Sequence, residues 1–238
     1  MRHTLHLGSL EAEVTRKAIK HVHLSVLPPA GRVRVAAPQG MALDTIRLFV
    51  ISKLGWIRSQ QRRLQAQERE TPREFLGKES HYVWGKRYLL ELTFADQPPS
   101  IILSPRKLHL SVRPGTDKAR CQTILDRWYR QQIRDALPTL LSRWEPLLKV
   151  KASRVFVQRM KTLWGSCTPE SGSIRLNTDL ARKPPECLEY ILVHELLHLL
   201  EPTHNERFVA LMDHHLPHWR HLRKVLNSLP VRHEEWEY

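Results

Sequence analysis

A chain of 238 residues with 41% hydrophobic and 26% charged residues has a globular composition, which excludes wholesale disorder. Its formal net charge of +14 is uneven: residues 1–150 hold 26 Lys/Arg against 13 Asp/Glu, and residues 151–238 hold 12 against 11. Cys121, Cys167 and Cys187 lie far apart with no CxxC pair, which argues against a disulfide framework or a cysteine-rich zinc ribbon.

The opening "MRHTLHLGSLEAEV" lacks the apolar stretch of a signal peptide, and no apolar run approaches the roughly 20 residues that span a bilayer. The expectation is a cytoplasmic protein with no membrane partner. "KHVHLSVLPPAGRVRVAAP" (20–38) alternates apolar and polar residues around Pro28, Pro29 and Gly31, the pattern of a β-hairpin. Helical spacing follows over about residues 42–68, with polar and basic residues after Gln60. "HYVWGKRYLLELTF" and "SIILSPRKLHLSV" read as two further strand pairs, punctuated by Gly85, Pro98, Pro99 and Pro105.

Residues 116–148 return to helical periodicity, with Ile124, Leu125, Trp128, Ile133, Leu137, Leu140, Leu141 and Trp144 as the buried stripe and Pro138 as a point of kinking or division. "SRVFVQRMKTLW" and "SIRLNTDL" read as strands separated by a turn with Gly165 and Gly172. A helix beginning near "KPPECLEY" is suited by Pro184 and Pro185 in its first turn. Helices around 205–215 and 217–228 precede a short tail. No internal repeat is visible, and a boundary near 115 divides a strand-rich basic region, 1–115, from 116–238.

The chemistry concentrates in "EYILVHELLHLLEPTH". His194, Glu195 and His198 form H-E-x-x-H, and on a helix residues four apart share a face, so both imidazoles reach one ion. Glu195 lies about 100° around the helix, placed as a base toward water activated by that ion. A catalytic zinc takes three protein ligands and keeps a fourth position open. His204, past the break imposed by Pro202, is the natural third, with Glu201 and Glu206 as open alternatives. His214, His215, His218 and His221 read as a solvated helical face. One Zn²⁺ is the implied cofactor.

"RVRVAAPQG", "LGWIRSQQ", "WGKRYLLEL", "MKTLWGSC", "IRLNTDL" and "YILVHELLHLLEPTHNERF" occur in the order seen in YgjP-like predicted metal-dependent hydrolases, and the resemblance covers nearly the whole chain. That family is similar to zincin metallopeptidases, and its final motif looks like that of WLM and SprT-type proteases. The resemblance implies an α+β fold: a strand-rich basic N-terminal portion, then a zincin-like C-terminal unit with the H-E-x-x-H helix packed behind a sheet. By the same resemblance His194, His198 and His204 are the ligands and Glu195 the catalytic glutamate. Metzincin membership is rejected, because Glu201 stands where that motif has glycine and Met212 follows the last histidine too closely.

In a zincin arrangement the turn Trp164-Gly165-Ser166-Cys167 and the strand after it border the cleft, and an edge strand there can pair with an extended peptide. Cys167 is then a packed or cleft-lining thiol. Arg159 and Lys161 are candidates for oxyanion or phosphate contacts, or members of a solvated strand face. Asn177 orients substrate or supports the fold. Three functions are weighed: a zinc peptidase acting on peptide or protein; a nucleoside triphosphate (UTP) pyrophosphatase, an activity that the family resemblance implies; and a DNA-associated protease or nucleic-acid-binding module using Arg58, Arg62, Arg63 and Arg69. No phosphate-cradling glycine motif accompanies the second.

Overall fold

Period-two alternation builds the first sheet: in β2 (Leu10–Lys17) and β4 (Arg32–Pro38) the residues Ala12, Val14, Val33, Val35 and Ala37 all point inward and are fully buried. With β1 (Arg2–Leu7) and β3 (His23–Leu27) they form four strands in the order β1-β2-β4-β3, antiparallel except for the parallel β2–β4 pair. In this computed structural model the described residues are 2–27, 31–66, 75, 79–160 and 163–228. They fall into two units, one within Met1–Glu70 and one within Thr71–Arg232. The hairpin expected over 20–38 is formed by β3 and β4, while Pro28 and Pro29 lie outside the described residues.

The single helix expected over 42–68 is two, α1 (Leu43–Ser52) and α2 (Leu54–Ala66), separated at Lys53. The break leaves Ile46, Val50 and Ile57 fully buried in the core of the first sheet. Gly55, a weak helix former, sits just beyond it. Arg58 and Arg62 are exposed on α2; the Arg63 side chain and Arg69 fall outside the described residues.

The second unit opens with a sheet of the same plan. β5 (Ser80–Val83), β6 (Lys86–Phe94), β7 (Ser100–Leu103) and β8 (Lys107–Val112) take the order β5-β6-β8-β7, again antiparallel except for a parallel middle pair, β6–β8. The β5–β6 turn places Trp84 at φ 48° and Gly85 at φ 76°, the positive pair that a tight hairpin of right-handed twist requires. The chain thus contains a repeat of topology that its residues do not display. The boundary expected near 115 lies inside this unit: Val83, Leu90, Leu108, Leu110 and Val112 share one core with the long helix that follows.

That helix, α3 (Lys118–Leu148), runs unbroken through Pro138. Asp117 caps its start, its carboxylate accepting from the Arg120 N–H at 2.7 Å. Pro138 is exposed, so the carbonyl it leaves unpaired, that of Arg134, is on the solvent face, while Ile133, Leu137 and Trp144 stay buried on the other. Tyr129, fully buried on this stripe, donates to the Tyr82 carbonyl at 2.8 Å and so ties helix to sheet.

A third sheet has the order β10-β11-β9, from β9 (Arg154–Gln158), β10 (Gly165–Thr168) and β11 (Ser173–Asn177); β11 pairs antiparallel with β10 and parallel with β9. The segment expected as a turn at Gly165 is therefore the edge strand β10, and the turn lies at Gly172, with φ 61°. A 3-10 helix, Thr178–Arg182, leads to α4 (Pro185–Leu197), which packs on β10, β11 and α3. α5 (Glu206–His215) and α6 (Trp219–Ser228) pack on α4 in turn. None of the described helices is long and apolar enough to cross a membrane.

Candidate metal centre

α4 is apolar nearly all round: Leu188, Ile191, Leu192, Val193, Leu196 and Leu197 are buried, which marks an interior helix. Two histidines and a glutamate at its end therefore need a reason, since polar groups there lose hydration. α4 stops at Leu197, four residues before the stop expected at Glu201, and His198 is its C-cap. The short segment that follows brings His204 back over the helix end. The Nε2 atoms of His204 and His194 lie 2.9 Å apart, and those of His198 and His204 lie 3.1 Å apart. Among the described residues these three form the one convergent group of metal-binding side chains, with ligand atoms all within 4.8 Å of one another. His214 and His215 meet ring to ring at 4.7 Å on α5 and, among the described residues, join no third donor.

Further contacts fix the rings. His198 Nδ1 lies 3.0 Å from the Glu201 carbonyl, so this nitrogen carries the proton and the Nε2 lone pair faces the cluster. Phe208 on α5, 2% exposed, faces all three rings with centroids at 4.9 Å for His194, 4.7 Å for His198 and 4.8 Å for His204. Asn205 caps α5 by accepting from the Phe208 N–H at 3.0 Å, which couples the start of this helix to the wall it presents. Phe208 follows His204 by four residues, the only trace of it in the sequence.

The electrostatics favour neutral imidazoles at His194 and His204. Burial, then the charges of His198, His204 and Arg223, lower the His194 pKa to about 3, and His204 is lowered by burial first and then by His198 and Arg223. His194 Nδ1 is buried with no hydrogen-bond partner among the described residues, so polar compensation for this ring lies at Nε2. Glu195, 5% exposed, is pushed up to about 8 by burial. Its carboxylate rests against β10: a Cβ on Gly165 would meet Glu195 Oε1 at 2.6 Å and Ile191 Cγ2 at 2.8 Å, so only glycine leaves room there.

The donor set fits zinc. Three neutral imidazole nitrogens suit that ion, and their spacing is near the roughly 3.3 Å edge of a tetrahedron with Zn–N bonds of about 2.0–2.1 Å. Glu201 and Glu206 are not needed as ligands: the Glu201 carboxylate accepts from Thr203 Oγ1 at 3.1 Å, and Glu206 is exposed in the first turn of α5.

The other sequence candidates separate clearly. Asn177 spends its amide on backbone, donating to the Met160 and Leu163 carbonyls at 2.8 Å each and accepting from the Asp179 N–H at 3.1 Å, so it clamps the approach to Trp164. Trp164 is half-buried, with the Lys183 ammonium 5.6 Å over its ring. Ser166 is half-buried in β10 opposite Arg175. The Cys167 thiol is pushed up to about 11 by burial, then by Glu195 and Glu170, which keeps it protonated rather than a metal-capping thiolate. Arg159 is exposed just past β9, and Lys161 lies outside the described residues.

Comparison with known proteins gives the family. The YgjP-like, metallopeptidase domain family matches residues 20–229. No curated protein matches the chain. Among solved structures, the metallopeptidase zymogen abylysin of Pyrococcus abyssi is similar over 42% of this chain and 99% of its own, at 21% identity and a TM-score of 0.36, a likeness too slight to transfer anything further. The match over residues 20–229 is decisive: the chain belongs to the YgjP-like metallopeptidase family, a family of metal-dependent hydrolases.

Proposed function

We infer that this hydrolase is a zinc peptidase in which His194, His198 and His204 hold a single ion and Glu195 is the general base. The observation that carries this is the convergence of three Nε2 atoms beside a buried carboxylate. Zinc, when bound there, supplies a Lewis acid that polarises a carbonyl and makes water a nucleophile near neutral pH. The protein's own groups do the rest. A Glu195 carboxylate oxygen takes the proton of the attacking water and passes it to the leaving amine nitrogen. Burial raises its affinity for the proton it takes from water and holds until the amine departs.

The substrate is a peptide in extended form. Among the described residues β10 pairs only with β11, and its other edge offers backbone groups to a further strand. A peptide laid there passes Gly165, and so the Glu195 carboxylate packed against it. Trp164 stands at the start of that edge. Zincin-like architecture accords with this packing of α4 on β10 and β11.

Zinc content of the purified chain, with cleavage of casein and release of pyrophosphate from UTP measured with and without chelator, tests the reading. The Glu195→Gln variant is expected to keep its zinc and to lose cleavage by about 100-fold or more. Hydrolysis of UTP with casein untouched would instead favour the pyrophosphatase, and a chain that takes up no zinc removes the metal centre itself.

A further inference from the structure

Period-two alternation gives the third sheet two faces. Val157, Ile174 and Leu176 turn inward and are buried, and a Cβ on Gly165 would meet Ile191 and Glu195 on that same side. The other face carries Ser166 of β10, Arg175 of β11 and Phe156 of β9 in one cross-strand row, with Thr168, Ser173 and Arg154 in the next. Arg175 leans across the sheet toward the edge strand: its Nη1 donates to Thr168 Oγ1 at 3.2 Å. Its guanidinium carbon also lies 5.9 Å from the centroid of the Phe156 ring, a cation–π contact that helps to hold the planar group over the sheet.

Among the described residues this half-buried guanidinium has no counter-charge. β9, β10 and β11 contain two arginines and no carboxylate. Glu170, in the 3-10 turn after β10, is exposed and forms no ion pair with Arg175. Elsewhere in this unit arginines are matched: Arg143 donates to Glu189 at 2.9 Å, and Arg182 lies 3.3 Å from Asp179. Thr168 occupies one of the five N–H donors of Arg175, and the fork that remains suits a carboxylate.

A peptide strand added at the edge of β10 puts alternate side chains on this face. The substrate residue beside Gly165 faces α4 and Glu195, so the one beside Thr168, three further along, faces outward. Cβ atoms of directly opposed residues lie about 4.5–5.5 Å apart, which brings a side-chain carboxylate there within reach of the guanidinium bonded to Thr168. We propose that Arg175 is a specificity-determining residue, taking the carboxylate of an aspartate or glutamate of the substrate strand opposite Thr168. The role rests on the peptidase reading and narrows its substrates to peptides with an acidic side chain at that outward position. A lysine or arginine there meets an uncompensated cation and is rejected.

The zinc-loaded full chain is assayed on quenched fluorescent peptides that differ in one residue, Glu or Gln, moved along the peptide one position at a time. At one position wild type is expected to favour the Glu peptide by about tenfold in kcat/KM, mainly through KM. Added salt should shrink that preference. In Arg175→Gln the Glu-to-Gln ratio is expected to fall to about one, and Arg175→Lys, which keeps the charge but not the forked donors, should retain part of it. Arg175→Glu should turn the preference toward a Lys peptide. Wild type indifferent to Glu and Gln at every position overturns the role without any variant. So does an Arg175→Gln chain that keeps the preference, or one that slows both peptides equally. Loss of zinc or of folding in Arg175→Gln and Arg175→Lys alike overturns it too, by making the residue structural. If wild type holds zinc yet cleaves no peptide, the peptidase reading itself falls and takes this role with it; peptides cleaved without regard to charge sink the Arg175 role alone.

Discussion

Gly165 and Glu195 occupy each other's space. With only 2.6 Å between a Cβ at 165 and the carboxylate, Gly165→Ala must displace either the base or β10. The expected outcome is a loss of about 1–3 kcal/mol of stability, as for other overpacked sites, with cleavage falling far more than zinc content. Kinetics and elemental analysis of the same preparation check it, and unchanged turnover would show that Glu195 need not sit where it does. The sequence offered the glycine and the glutamate separately, thirty residues apart, with nothing to join them. H-E-x-x-H was legible because helical spacing alone specifies it. Phe208 was not, since it acts through the packing of α5 on α4. Asn177 was undecidable between substrate and fold until its amide was seen to be fully spent on backbone.

At the scale of elements, α5 links local capping to the centre. Its Asn205 cap orders the Phe208 backbone, and Phe208 closes over three imidazoles. Asn205→Ala should cost about 1 kcal/mol of stability, the usual value of an N-cap. It should also weaken zinc affinity measurably while leaving the Glu195 chemistry of the loaded enzyme intact. Competition with a chromophoric chelator reads the affinity, and an unchanged value would mean that the wall stands without its cap. Long elements were readable and short ones were not. α3 carried its buried stripe over 31 residues, so neither of its exposed prolines, Pro138 and Pro146, could end it. β10, with four residues led by glycine, has too few positions for alternation to show, and so read as a turn.

For the whole molecule, two four-stranded sheets of one topology precede the site-bearing layer. Their likeness lies in strand order and direction, which many residue patterns satisfy, and this is why the sequence shows no repeat. Stability of the metal-free chain should carry the signature of its buried acid. Glu195 has a folded pKa of about 8, raised from 4.5, so its contribution is fully present below 4.5 and is lost as pH rises through 8. His194, lowered to about 3 from 6.5, acts in the opposite sense: its contribution is present above 6.5 and lost as pH falls toward 3. Glu195→Gln should therefore stabilise the chelator-treated protein by a few kcal/mol near pH 9 and hardly at all near pH 4.5. Thermal melts across that range decide, and a gap that ignores pH would mean the carboxylate is hydrated.

The three imidazole donors belong to one stretch of eleven residues, His194 to His204. A span so short needs little entropy to close, so an unfolded or nascent chain can already chelate the ion before any sheet exists. Affinity for the denatured ensemble subtracts from the gain in melting temperature that metal would otherwise give, and loading should slow refolding wherever a non-native donor is captured first.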